Sequence, residues 1–162
     1  MLHIITGEVN AGKTTRMKEL YRQQQNTADG LISEKVFEGG HFLGYRLVHL
    51  QGCESMELAL LKYEYHGQFS EACKFGPFVF SEAAFRFGVD LLRRLCADAS
   101  IDSVYLDEVG PLELKGQGFA AILPQLLHSG KNLVITVRKA CLEDFLDKYK
   151  IEDYRLILVN KK

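Results

Sequence analysis

Short apolar blocks alternate along this chain with longer segments whose apolar residues recur every three or four positions. Ile4 and Ile5 make the first short strand. Thr15 to Gln25 follows as a helix with Met17, Leu20 and Tyr21 on its apolar face, and Asn26-Thr27-Ala28-Asp29-Gly30 ends it. Leu31 to Phe37 and Phe42 to Leu50 read as strands, and the turn Glu38-Gly39-Gly40 between them predicts a β-hairpin. Met56 to Leu61 fits a short strand and a short helix equally. Tyr63 to Gly76 mixes aromatics, charges and glycines and reads as a loop over a site. Phe78-Val79-Phe80 is a brief extended piece. Ser81 is placed to cap a helix from Glu82 to Ala99, with Phe85, Val89, Leu92 and Cys96 at helical spacing. Buried-strand patterns follow at Ser103 to Leu106 and Asn132 to Val137, helices at Gly118 to His128 and Cys141 to Tyr149, and a last strand at Tyr154 to Val159. Strands alternating with helices predict an α/β fold of three layers, with a mainly parallel central sheet and one inserted β-hairpin. No repeat, low-complexity tract or linker interrupts the pattern, so residues 1–162 are expected to form one domain.

The first strand runs into Gly7-Glu8-Val9-Asn10-Ala11-Gly12-Lys13-Thr14-Thr15, which fits G-x-x-x-x-G-K-[ST]. Glycines let the backbone curl so that several N–H groups converge on one anion, and the helix that follows adds its positive dipole end. Lys13 can reach the outer phosphates and the Thr14 hydroxyl can coordinate Mg²⁺. From ordinary residue frequencies the pattern arises by chance in a chain of this length on the order of one per cent of the time. Its placement at the first strand–helix junction lowers that further. Residues 7–15 are therefore read as a nucleotide site for ATP or another nucleoside triphosphate.

Composition narrows the partners rather than the chemistry. Net charge is −1 over 162 residues, so no basic footprint points to nucleic acid. Apolar content of 47% is ordinary, the start MLHIITG has no signal-peptide pattern, and no apolar run is long enough to span a membrane. Cys53, Cys73, Cys96 and Cys141 contain no C-x-x-C pair, and the five histidines show no close ligand spacing. Reduced thiols in a cytoplasmic protein are expected, with Cys96 in the core.

A phosphate loop needs a metal partner, and an Asp at the carboxyl end of a neighbouring parallel strand supplies one. Asp107, after Val104-Tyr105-Leu106, occupies that place. Glu108 directly follows, where a carboxylate can polarise an attacking water; the bland alternative is a surface Glu. Glu113 can contact ribose, metal-bound water or nothing. Arg138 follows the strand ending at Val137 and can stabilise charge on the γ-phosphate, with Lys139 beside it as a competitor. Thr136 can position a water or a phosphate oxygen. The base-specifying motif N-K-x-D is missing; Asn160-Lys161 comes nearest, at the very end. Arg93-Arg94 reads as the solvated face of its helix.

The order of these pieces resembles a known family. Gly7 to Thr15, Gly30-Leu31-Ile32-Ser33-Glu34, Gly39-Gly40, Gly44-Tyr45, Lys74-Phe75-Gly76 and, most specifically, Asp107-Glu108-Val109-Gly110-Pro111-Leu112-Glu113-Leu114 are similar to the small thermostable-type, or cancer-related, nucleoside-triphosphatases. The resemblance covers nearly the whole chain. It implies a P-loop NTPase fold of the additional-strand, catalytic-glutamate class, with an extra strand between the phosphate-loop strand and the Asp107 strand. It also implies slow Mg²⁺-dependent hydrolysis of ATP, GTP and other NTPs to NDP and phosphate. Phe37 and Phe42 stand where that family usually has Arg, and Pro111 where Lys is common. Two alternatives use the same residues. One is a nucleotide or small-metabolite kinase, with the hairpin and the segment 63–76 as its acceptor pocket. The other is a nucleotide-binding module without turnover.

Overall fold

The computed structural model describes residues 1–52 and 54–160. Cys53 and the Lys161 of the Asn160-Lys161 pair lie outside the described residues. The chain runs β1 (Leu2–Gly7), α1 (Lys13–Arg22), β2 (Ala28–Glu38), β3 (His41–His49), β4 (Ser55–Leu61), β5 (Glu71–Phe75), β6 (Phe78–Ser81), α2 (Glu82–Ala97), β7 (Ser103–Val109), α3 (Pro111–Leu114), α4 (Leu123–Leu127), β8 (Asn132–Arg138), α5 (Leu142–Tyr149) and β9 (Arg155–Leu158). Among the described residues the strands form one sheet in the order β5-β6-β4-β3-β2-β7-β8-β1-β9. From β2 to β9 every pairing is parallel. From β2 outward through β3, β4, β6 and β5 every pairing is antiparallel.

Alternation along the parallel strands sorts side chains onto two faces, as the period of two requires. Ile4, Leu31, Val104, Leu106, Leu133 and Ile135 enter the larger core, together with α2, α4 and α5 residues such as Leu92, Leu123 and Phe145. Their neighbours Ile5, Ile32, Tyr105 and Val134 face the other way and pack under Met17 of α1. Helices on both faces of the sheet make the three layers expected. Ser81 caps α2 through its side chain, which accepts from the Ala84 N–H at 3.2 Å.

The expected hairpin β2–β3 forms, its turn carried by Gly39 and Gly40 at φ 56° and 81°, and β4, β6 and β5 extend it as an antiparallel half of the sheet. Other expectations are resolved or corrected. Met56 to Leu61 lies within a strand, β4. Part of the supposed loop 63–76 is also a strand: Glu71–Phe75 pairs with β6 at the sheet edge. An edge strand buries little, so its sequence lacks a clear apolar period. The helix expected over Gly118 to His128 shrinks to Leu123–Leu127. Gly116 and Gly118 take positive φ, and Pro124, which has no N–H to donate, sits in the first turn of α4. A short helix at Pro111–Leu114, also opened by a proline, was not foreseen. Cys96 packs against the core but is only half-buried.

For the site, the decisive feature is the central strand order. β8 lies between β1 and β7, so the phosphate-loop strand and the Asp107 strand are not neighbours.

Candidate active site

The loop leaves β1 at Gly7 and enters α1 at Lys13, with Gly12 at φ 96° as the residue before the helix. That left-handed conformation suits glycine. Gly7 is needed for a different reason. A Cβ there would stand 2.3 Å from the Val159 carbonyl oxygen, where the end of β9 crosses the loop. Asn10 supplies the other left-handed turn, at φ 61°. Lys13 Nζ donates to the Gly7 and Glu8 carbonyls at 3.1 and 2.8 Å and so folds back over the loop. Burial lowers its pKa, while the carboxylates of Glu108 and Asp107 pull the other way. Residues Val9 to Thr15, with Lys18, Ser33, Glu34, Lys35, Tyr45, Glu108 and Arg138, enclose a cleft of about 450 Å³.

Asp107 is the junction of the site. It is buried, and both carboxylate oxygens are occupied. Oδ2 accepts from Thr14 Oγ1 at 2.7 Å and from the Ser33 N–H at 3.2 Å. Oδ1 accepts from Thr136 Oγ1 at 2.5 Å and from the Glu108 N–H at 3.1 Å. Burial pushes its pKa up against the pull of these four donors. The hard-oxygen pair of the Thr14 hydroxyl and the Asp107 carboxylate, already in contact, suits Mg²⁺, which takes one or two protein oxygens beside substrate phosphates. Among the described residues no cluster of three or more His, Cys, Asp or Glu side chains offers a metal cage.

Adjacent residues of a regular strand point to opposite faces, yet Asp107 reaches Thr14 in the cleft wall and Glu108 lines the cleft itself. The β7–β8 register slips between Leu106 and Val109, and Glu108 sits at φ 67°. A bulge that re-aims a side chain at a site has this form, and a non-glycine residue held there costs of order 1–3 kcal/mol. The strain is held by Thr136, whose hydroxyl accepts from the Glu108 N–H at 2.8 Å while donating to Asp107. Thr136 therefore positions the two acidic residues rather than a water. Burial and the neighbouring Asp107 charge raise the Glu108 pKa, opposed by Arg138, Lys13 and Lys35. Arg138 Nη2 lies 3.8 Å from Glu108 Oε2. Lys139 instead pairs with Glu8 at 3.3 Å on the rim.

Glu113 belongs to the scaffold. Its Oε2 accepts from the Gly110 N–H at 2.9 Å and its Oε1 from the Phe119 N–H at 3.1 Å. It ties the turn after β7 to the loop before α4. Ser33 and Tyr45, which the sequence offered only within the family-like motifs, line the cleft together with Lys18 and Lys35, which no motif singled out.

A family model described as NTPase matches residues 3–162. The chain belongs to this NTPase family. Its relatives include "Nucleoside-triphosphatase THEP1" of Methanocaldococcus jannaschii, 28% identical over 162 residues, covering 98% of this chain and 89% of the relative. The protein of the same name from a Thermotoga species is 29% identical over 148 residues, covering 91% and 79%. Two solved structures share the fold. The crystal structure of THEP1 from Aquifex aeolicus superposes with a TM-score of 0.74 at 22% identity, covering 99% of this chain and 90% of that one. The solution structure of a human cancer-related nucleoside triphosphatase gives 0.72 at 24%, covering 99% and 89%.

Proposed function

We propose that residues 1–162 act as one domain that hydrolyses ATP and other nucleoside triphosphates to NDP and phosphate in the presence of Mg²⁺. Membership of the NTPase family supports the reaction class. The observation that carries the residue assignment is the 2.7 Å contact joining Thr14 of the phosphate loop to Asp107, with Glu108 re-aimed by the bulge beside it. The backbone N–H groups of residues 7–15 hold the phosphate chain, and Lys13 leaves its loop carbonyls to neutralise the β- and γ-oxygens. Thr14 and Asp107 would hold Mg²⁺, which would supply positive charge against the phosphate oxygens when bound. The Glu108 carboxylate orients the lytic water and takes its proton, and its raised pKa makes it a better base than an ordinary Glu. Arg138, 3.8 Å from Glu108, adds positive charge beside the γ-phosphate.

A cytoplasmic setting belongs to the same reading. Its support is the free thiols of Cys73, Cys96 and Cys141. Among the described residues no helix is long and apolar enough to cross a membrane.

Phosphate release is the test. The purified chain with Mg-ATP alone should release phosphate, and EDTA should stop it. Release only on adding a second substrate, or nucleotide binding without turnover, would refute the hydrolase reading.

A further inference from the structure

A second space adjoins the phosphate cleft. It has a volume of about 100 Å³ and contains none of the phosphate-loop residues. Its wall is aromatic: Tyr45, Phe75, Phe78, Phe80, Phe85 and Phe119. The rings support one another in a continuous series. Tyr45 and Phe78 have centroids 5.4 Å apart, Phe78 and Phe80 6.2 Å, Phe80 and Phe85 5.8 Å, and Phe85 and Phe119 5.3 Å. Such packing holds a wall rigid, yet here it encloses space where protein interiors normally leave voids little larger than a water. The volume is on the order of one aromatic ring.

Its polar groups are few and converge at one end. Ser33, Tyr45, Glu108 and Arg138 line both this cavity and the phosphate cleft. Glu113 also borders the cavity, but its carboxylate is committed to two backbone N–H groups. Glu108 and Arg138 stand 3.8 Å apart, beyond hydrogen-bond length, with 31% and 39% of their side chains exposed. An apolar pocket with a few polar groups at one mouth is the form of a small-molecule site.

We propose that this cavity is a binding site for a small, neutral aromatic molecule bearing a hydroxyl. The ring lies among the phenylalanines, and the hydroxyl donates to Glu108 at the boundary with the phosphate cleft. An occupant so placed takes the position from which Glu108 would hold the lytic water, and it thereby slows NTP hydrolysis. The effect on turnover rests on the role given to Glu108 above; the binding itself does not.

The probe is 4-fluorophenol, followed by ¹⁹F NMR on the intact protein with and without Mg-ATP, alongside phosphate release. A saturable shift is expected, together with a dose-dependent fall in phosphate release over the same concentrations. Fluorobenzene, which lacks the hydroxyl, should bind about tenfold more weakly. Leu58 and Leu112 line the cavity, and Leu58→Phe or Leu112→Phe should fill it. Whichever variant melts like the wild type should lose the probe's shift and its inhibition while keeping basal phosphate release. The binding site is overturned by the absence of saturable binding, by binding that survives in the filled variant or by equal binding of fluorobenzene, whereas saturable binding that leaves phosphate release unchanged overturns the inhibition alone. If the basal hydrolysis itself were absent, the ¹⁹F shift and its loss on filling would still decide whether the site exists.

Discussion

Replacing Thr136 with Val tests how the acidic pair is held. The two side chains have nearly the same shape, so the change removes one hydroxyl and little else. That hydroxyl is buried, with Thr136 1% exposed, and it makes two bonds: to Asp107 Oδ1 at 2.5 Å and from the Glu108 N–H at 2.8 Å. A hydrogen bond to a charged group contributes about 1.5–3 kcal/mol and a neutral one about 0.5–1.5 kcal/mol. Asp107 Oδ1 and the Glu108 N–H keep each other at 3.1 Å, so neither is orphaned. The expected loss is therefore near the lower end of the sum, about 2 kcal/mol. For a chain of this size that is a fall of roughly 4–8 °C in Tm. The bulge at Glu108 loses its anchor as well, and misplacement of a base by a fraction of an ångström should slow turnover about tenfold to a hundredfold. Urea unfolding and phosphate release on the same preparations measure the two effects, and Thr136→Ser should restore most of both. A Val variant within about 0.5 kcal/mol of wild type and with its full rate would refute the role given to Thr136.

Other perturbations follow from the same geometry. Lys13→Ala should abolish tight nucleotide binding, read by titration calorimetry; wild-type affinity would remove the phosphate-loop assignment. Gly118 has φ 62°, and a Cβ there would meet Glu113 Oε1 at 2.4 Å, so Gly118→Ala should lower stability by about 2–3 kcal/mol by denaturant unfolding. An unchanged midpoint would mean that Glu113 does not depend on that gap. Burial raises the Glu113 pKa against the pull of its backbone donors. The folded chain thus holds this proton more tightly than the unfolded one. The contribution is full below the free-Glu value of about 4.3 and is lost as pH rises through the folded value. The stability advantage of wild type over Glu113→Gln should accordingly shrink as pH rises above about 4, and a pH-independent difference would contradict the shift.

What the sequence made legible was local. The phosphate loop is a contiguous motif with fixed spacing, and the parallel strands are continuous apolar runs, so both could be read directly. Asp107 could be read as the polar residue that ends such a run. The contacts that give Asp107 its geometry come from elsewhere in the chain. Ser33 and Thr136 are brought to it by the β2–β7 and β7–β8 pairings, which no spacing along the chain encodes. The bulge between Leu106 and Val109 is invisible for the same reason: it is a mismatch between two strands. The sequence left Glu113 open between ribose, metal-bound water and no contact, and its burial with two backbone donors makes it a brace. The aromatic cavity draws its rings from β3, β5, β6, α2 and the loop before α4, so scattered phenylalanines became a single wall only on folding.

The central claim, that Glu108 is the base for water attack on the terminal phosphate, is tested most directly by phosphate release from Mg-ATP by Glu108→Gln. The amide keeps the shape and can still hold a water, but it cannot take the proton. ATP affinity near that of the wild type with phosphate release reduced by about 10²–10⁴-fold is the predicted result. Release at the wild-type rate would contradict it.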